Sequence, residues 1–288
     1  MKTAKQIASG IIPACIWRKA RQCRIVRIHN RAAACCESLI AGFTDADRVN
    51  IAARRPELIG EKVIWQYWAQ GFDNVPDKVR KCLDSVERYA GEYRIIRLSD
   101  GDLADYLDLP GYVMGKRSCY SVAFFSDLLR VLLLSTYGGI WLDATVMLTG
   151  PIPEEYLTCD YFLFQRDPDE KDKEYWQNTY AYYFGWYKGF RVNMLSSIMI
   201  AKRDSAVVRR LAELMLKWWR ENDAIPDYFF LQILYDVLVT GPMKEYRCPV
   251  VSDCRPHYLQ QSINDPRFYL MGREDIMAAI PIHKLTYK

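Results

Sequence analysis

The 288-residue chain is 50% hydrophobic and 26% charged, an ordinary globular composition that excludes disordered, collagen-like and low-complexity classes. Its net charge of +4 is unevenly placed: residues 1–36 hold eight basic side chains and no acid, while the remaining 252 carry 31 basic and 35 acidic ones. A slightly acidic body with a basic leader is a poor general binder of nucleic acid, whose phosphates demand a basic face.

In chain order, the first feature is the apolar run Ile7–Trp17, about half of the roughly 20 residues that a membrane helix needs. Arg18, Lys19 and Arg21 follow it where a signal peptide would carry a small-residue cleavage site. Residues 1–60 are expected to form a basic, largely helical leader, and residues 61–288 the main domain. Arg21, Arg24, Arg27 and Arg31 recur at spacings of three, three and four, which makes a stripe on a helix. Such a stripe beside an apolar run suits a peripheral position on an anionic membrane face; the alternative is a solvated charged face. The nine cysteines are scattered and contain no CxxC, so neither a disulfide framework nor a zinc site is expected, and a reducing cytoplasm is.

The first clear strand is Lys62–Trp68, rich in β-branched and aromatic residues. A helix follows, with Pro76 near its first turn and Val79, Cys82, Leu83, Val86 and Tyr89 at helical spacing. Next come a strand at Tyr93–Leu98 and a short helix with Ser99 as N-cap. A long apolar helix is predicted from Ser118 to Tyr137, stopped by Gly138–Gly139, with a strand over Ile140–Leu148. This alternation reads as an α/β sheet. The second half mixes strands (Cys159–Phe164, Ser196–Ala201) with helices over Ser205–Asn222 and Asp227–Thr240, and ends in IPIHKLTYK.

The informative block is residues 123–145, AFFSDLLRVLLLSTYGGIWLDAT. Asp127 and Arg130 lie three apart, so they share a helix face and can address one ligand; the plain alternative is an intrahelical ion pair. Asp143 interrupts an apolar strand, where a carboxylate is costly unless paired, placed at the sheet's end or bound to a cation. Ligands of open α/β sheets collect beyond the carboxyl ends of the strands, where a carboxylate suits a divalent metal on a diphosphate. Residues 175–190 hold nine aromatics in sixteen positions. They read either as the lining of a sugar acceptor site or as a strand and loop in the core. Asp227 and Asn193 are further acceptor-side candidates, Asp227 also reading as an acid at a helix N-terminus.

The stretches VIWQYWAQG (63–71), AFFSDLLR (123–130), YGGIWLDATV (137–146) and HKLTYK (283–288) resemble the capsular polysaccharide synthesis proteins. These are relatives of the DXD-containing sugar transferases of glycosyltransferase family 32. The SDLLR-to-LDAT block also looks like that of the clostridial glucosylating toxins. The resemblance covers about residues 62–288. It implies a GT-A-like, Rossmann-like α/β fold with a mixed central sheet, a nucleotide-sugar donor (a UDP-sugar foremost), and transfer with retention to a saccharide or lipid-linked saccharide. Carried over, it places Trp65 on the nucleobase, with a core tryptophan as the alternative reading, and Asp127 and Arg130 at the ribose, sugar or diphosphate. Asp143 becomes the first acid of the DXD motif and a ligand of Mn²⁺ or Mg²⁺. Thr145 stands where the second acid would be, which weakens metal binding and leaves a catalytically degenerate scaffold subunit as the alternative function. His283 would complete the metal site, and Lys284 and Lys288 would grip phosphate.

Overall fold

The computed structural model describes residues 14–265, 268 and 271–286. Lys288 and the Ile7–Pro13 part of the leader's apolar run lie outside the described residues. The chain opens with helix α1 (Ala14–Ala41), then β1 (Val63–Tyr67), α2 (Asp77–Tyr89), β2 (Arg94–Leu98), the short α3 (Gly111–Gly115) and α4 (Val122–Tyr137). It continues with β3 (Gly139–Leu142), β4 (Val146–Leu148), α5 (Glu154–Leu157), β5 (Tyr161–Gln165), α6 (Lys173–Thr179) and β6 (Met194–Ala201). The remaining elements are α7 (Ala206–Glu221), α8 (Phe230–Thr240), α9 (Tyr258–Asn264), α10 (Arg273–Ala279) and β7 (Ile282–Lys284).

The α/β class and the mixed central sheet are as expected. Five strands run in the order β2-β1-β3-β6-β5. β1 is parallel to both β2 and β3, whereas β6 is antiparallel to β3 and β5. β1 and β6 are buried along their whole length, which explains why their sequences are near-continuous apolar runs instead of alternating ones. A separate two-stranded ribbon of β4 and β7 brings the end of the described chain beside residues 143–145.

The local sequence explains why α4 ends where it does. Ser121 caps its start, accepting Phe124 N–H at 3.2 Å. Gly138 and Gly139 at its end have φ of +78° and +103°, and a Cβ on Gly139 would lie 2.5 Å from the Val63 carbonyl oxygen. Only glycine lets β3 start that close to β1.

Two expectations meet a different arrangement. The predicted strand 140–148 is broken at Asp143–Thr145, where Val146 N–H closes a turn on Asp143 O at 2.8 Å, and the chain changes sheet. Apolar periodicity cannot see such a break, because both halves are apolar. The leader is also not a separate unit: Ile25, His29, Ala32, Ala33, Cys36 and Leu39 of α1 are buried, and the helix packs on α8 and α7. Residues 15–20, its first turns, are exposed, with Arg18 paired to Glu174 at 2.7 Å.

The aromatic segment divides. Trp176, Tyr183, Phe184 and Phe190 are buried. Tyr183, Phe184 and Phe190, with half-buried Trp186, surround the Arg166 guanidinium, which bonds both Asp253 carboxylate oxygens at 2.9 and 2.8 Å and the carbonyls of Tyr183 and Gly185. Tyr180 and Tyr182 are exposed.

Candidate functional site

The carboxyl ends of β1, β2 and β3 face the same edge of the sheet, and the residues just beyond them build the site. Asp143 is the first residue after β3, and its N–H is held by Ser197 O at 2.9 Å. Arg130 reaches it from α4. The Arg130 Nη2 lies 3.2 Å from Asp127 Oδ1 and 3.4 Å from Asp143 Oδ1, so one buried guanidinium joins both acids. Arg130 also donates to Ser126 O, Ser126 Oγ and Ser196 O, and it sits over the Trp141 ring at 5.2 Å. The Trp141 indole N–H in turn donates to Asp143 Oδ1 at 2.8 Å. From the ribbon, Lys284 Nζ donates to Thr145 Oγ1 at 2.5 Å and to Leu285 O at 3.1 Å.

The two carboxylates are driven apart. Burial raises Asp127 to about 6, with Asp143's charge adding to the rise and Arg130 opposing it. Burial also works against ionised Asp143, but Arg130, Lys284, the Trp141 indole and Ser197 together outweigh it and hold that carboxyl below its usual range. Burial lowers the Lys284 ammonium and Arg130 adds to that, while Asp143 supports its charge. The arrangement therefore keeps a fixed anion, Asp143, between two cations at the open edge of the sheet, with a second acid of tunable charge behind it.

The structure brings Asp127, Arg130, Asp143 and Lys284 together, and it parts company with two site readings. Trp65 is fully buried in the middle of β1, with its indole N–H on Gly138 O at 2.9 Å and its ring against Tyr106 and Tyr137. It is a core tryptophan that staples the glycine turn and offers no face to a nucleobase. His283 is also fully buried, its Nε2 3.1 Å from Thr149 Oγ1. It points to the opposite face of β7 from Lys284, and burial alone lowers it to about 4, with no charged neighbour contributing. It does not join Asp143 around a cation. Asn193, another candidate, is committed to Asp236 Oδ1 at 2.9 Å.

Trp68, which the sequence reads as a core tryptophan more readily than Trp65, is the first residue past the carboxyl end of β1. It is half-buried and packs with Phe72 and Val75 in a cluster containing Ala144, the residue between Asp143 and Thr145. Its place at the end of the apolar run, not within it, was the available signal. Sequence reasoning missed the neighbouring group of Tyr67, Asp100 and Arg117: Tyr67 Oη donates to Asp100, Arg117 Nη2 lies 3.2 Å from Asp100 Oδ2, and its guanidinium sits 4.5 Å over the Phe125 ring.

A resident divalent ion does not fit this donor set. Asp143 is the one carboxylate of the motif, it is already faced by Arg130 and Lys284, and the Thr145 hydroxyl is occupied by Lys284. Among the described residues, no three His, Cys, Asp or Glu side chains converge to hold a metal.

Parallel strands that deliver charged side chains beyond their carboxyl ends form the crevice in which open α/β sheets hold their ligands. The chain belongs to the capsular polysaccharide synthesis protein family, whose model matches residues 21–288. It is similar to the O-glycosyltransferase PaGT of Phomopsis amygdali, 24% identical over 186 residues that cover 61% of this chain and 43% of that protein. It is also similar to the O-glycosyltransferase braB of Annulohypoxylon truncatum, 25% identical over 199 residues covering 61% of this chain and 42% of that protein. The chain thus spans less than half the length of these relatives. Among solved structures, the PaToxG glycosyltransferase superposes with a TM-score of 0.38 at 12% identity, covering 91% of this chain and 89% of that one.

Proposed function

We propose that this chain is a GT-A-like glycosyltransferase. In this reading it moves a sugar from a nucleotide-sugar donor, a UDP-sugar foremost, to a saccharide or lipid-linked saccharide acceptor in surface-polysaccharide synthesis. The observation that carries the reading is the Asp127–Arg130–Asp143–Lys284 group at the carboxyl edge of the sheet. Family membership and the similarity to named glycosyltransferases support it.

Breaking the anomeric C–O bond leaves the electron pair on the departing diphosphate and oxocarbenium character on the sugar. Preorganised positive groups where that charge appears lower the barrier most. Arg130 and Lys284 take that role, and Lys288 is the further phosphate candidate from the sequence. Asp143 fixes both cations in place. Asp127 accepts a hydroxyl of the ribose or the sugar, and the half-buried face of Trp68 replaces Trp65 as the base-side aromatic. In the retaining course that the family resemblance implies, the acceptor hydroxyl attacks on the leaving-group side and its proton departs on the diphosphate. The charge balance at the leaving group rests on these side chains and not on a protein-held Mn²⁺ or Mg²⁺.

The exposed start of α1 supports peripheral placement on an anionic cytoplasmic membrane face. Ile16 and Trp17 are 54% and 41% exposed, and Lys19, Arg24, Arg27 and Arg31 are exposed on the same helix. Among the described residues, no helix is long and apolar enough to cross a membrane.

The deciding experiment incubates the full chain and Asp143→Ala with UDP-, GDP- and other nucleotide-sugars, in EDTA or in Mn²⁺. Hydrolysis or transfer from one donor, surviving EDTA and reduced at least about a hundredfold by the substitution, is the expected result. Donor binding without turnover would instead mark a degenerate scaffold subunit. No donor binding at all would sink both readings.

A further inference from the structure

Three tyrosines stand exposed around one hollow beside the site. Tyr228 is 61% exposed, Tyr180 49% and Tyr182 44%. They border a cavity of about 160 Å³ whose other walls are Ile25, Ile28 and His29 of α1, together with Asp227 and Phe229. The hollow adjoins the chemistry: three residues past Phe229, Gln232 Nε2 donates to Ser196 Oγ at 3.0 Å, and Ser196 O accepts from Arg130; Asp127 and Asp143 also push the Tyr228 hydroxyl up, behind burial as the larger cause.

Two of the rings are held from behind. Tyr228 meets Phe229 edge-on at 5.0 Å, Tyr180 lies near-parallel to buried Tyr183 at 6.3 Å, and both Tyr180 and Tyr183 contact Phe229. Asp227 is fixed in turn by accepting Phe229 N–H at 2.7 Å. Tyrosines braced in this way lose little freedom when a ligand stacks on them, so their outer faces are preorganised.

The chemistry of this patch selects its occupant. It offers flat aromatic faces, phenol hydroxyls, one carboxylate and one imidazole, with no Lys or Arg among its walls. A phosphate would meet Asp227 there with no cation among the walls to balance it, so the donor's diphosphate is favoured at Arg130 and Lys284 instead. An acyl tail would have to bury phenols and a carboxylate without partners. A neutral, hydroxyl-rich sugar matches both features, because its C–H faces stack on rings while its hydroxyls bond the phenols and Asp227.

We infer that Tyr180, Tyr182, Tyr228 and Asp227 form the acceptor subsite, a platform for an uncharged saccharide ring whose hydroxyl is presented toward Asp127 and Asp143. This deepens the transferase reading and rests on it. It also gives the middle of α1 a place in the site wall, so the helix that begins in the basic leader serves acceptor binding.

The test is saturation-transfer NMR on the full chain, using methyl glycosides of common mono- and disaccharides, with UDP titrated in parallel by calorimetry. Wild-type protein is expected to give ring-proton signals from a subset of the glycosides. Tyr228→Ala and Tyr180→Ala should each weaken that binding by about tenfold, while UDP affinity stays within about twofold. Tyr180→Phe, which keeps the ring, should retain most of the signal. Both substituted side chains are exposed, and unchanged thermal melting verifies that the variants fold. If UDP binds but no glycoside does, or if the alanine variants bind glycosides normally, the subsite is refuted while the transferase reading stands. If the variants lose UDP instead, the patch belongs to the donor. Failure of the wild-type chain to bind any nucleotide or nucleotide-sugar overturns the transferase reading itself.

Discussion

Asp127→Asn separates what the site does from what it costs the fold. Asp127 is buried on α4, 3.2 Å from Arg130, with the Ser196 hydroxyl on its carboxylate and Asp143's charge nearby. Burial outweighs the Arg130 attraction, so the folded carboxyl titrates at about 6, whereas an unfolded Asp titrates near 4. Between those values the native state holds a proton that the unfolded chain has released. Stability contributed by this group is therefore highest at and below about pH 4, falls as the pH rises through about 6, and stays low above it. Two pKa units correspond to on the order of 2–3 kcal/mol at neutral pH. Asparagine keeps the shape, an acceptor for Arg130 and a partner for Ser196, but carries no charge to desolvate. In urea unfolding, Asp127→Asn is expected to be more stable than wild type at pH 7.5, by up to that amount, with the gain vanishing by about pH 4. Turnover should fall by at least about a hundredfold, because the charged acceptor for the sugar or ribose hydroxyl is gone. A variant less stable than wild type at pH 7.5 would show that the Arg130 pairing, not desolvation, dominates at Asp127, and would overturn the reasoning.

Trp65 and Trp68 should behave oppositely. Trp65→Ala is expected to cost about 3–5 kcal/mol by opening a core cavity and freeing the Gly138 carbonyl, whereas Trp68→Ala should leave melting within a few degrees and weaken UDP binding about tenfold; calorimetry on folded protein distinguishes them. Reversing Arg24, Arg27 and Arg31 to glutamate should abolish sedimentation with phosphatidylserine vesicles without lowering thermal stability, since all three are exposed; unchanged vesicle binding would remove the membrane placement.

Much of this molecule was legible as a sequence because its signals were local. Strand and helix periods located β1, α2, β2, α4 and α7 to within a few residues, and the Gly138–Gly139 pair announced the tight entry into β3. Asp127 and Arg130 were legible as one helix face and Asp143 as a strand-end carboxylate, both by short-range geometry; that the three share one site is what the family resemblance implied. What escaped detection was long-range. Whether Trp65 or Trp68 lies at the sheet's open edge depends on where β1 stops, which is at Tyr67, one residue before Trp68. Whether His283 or Lys284 faces Asp143 depends on the register of β7 against β4, which pairs Lys284 with Val146 and His283 with Met147; adjacent strand residues exchange faces with any one-residue slip. The aromatic segment could not be divided into core and surface either, because buried Arg166 and its partner Asp253 lie 87 positions apart.

The same register explains why a threonine can stand in the motif's second acidic position. A carboxylate at 145 would need a cation, and in many sites a metal supplies it. Here β7 delivers the Lys284 ammonium to that hydroxyl, while Arg130 already joins Asp143 to Asp127. A second acid would bring a third carboxylate against two cations in a partly buried site, which is costly unless a divalent ion follows. In the proposed transferase, Thr145 and Lys284 would be two halves of one solution, in which the chain itself carries positive charge for a leaving diphosphate. On this account Thr145→Asp creates the first arrangement of this site in which added Mn²⁺ raises donor affinity, since it restores the missing oxygen ligand beside Asp143.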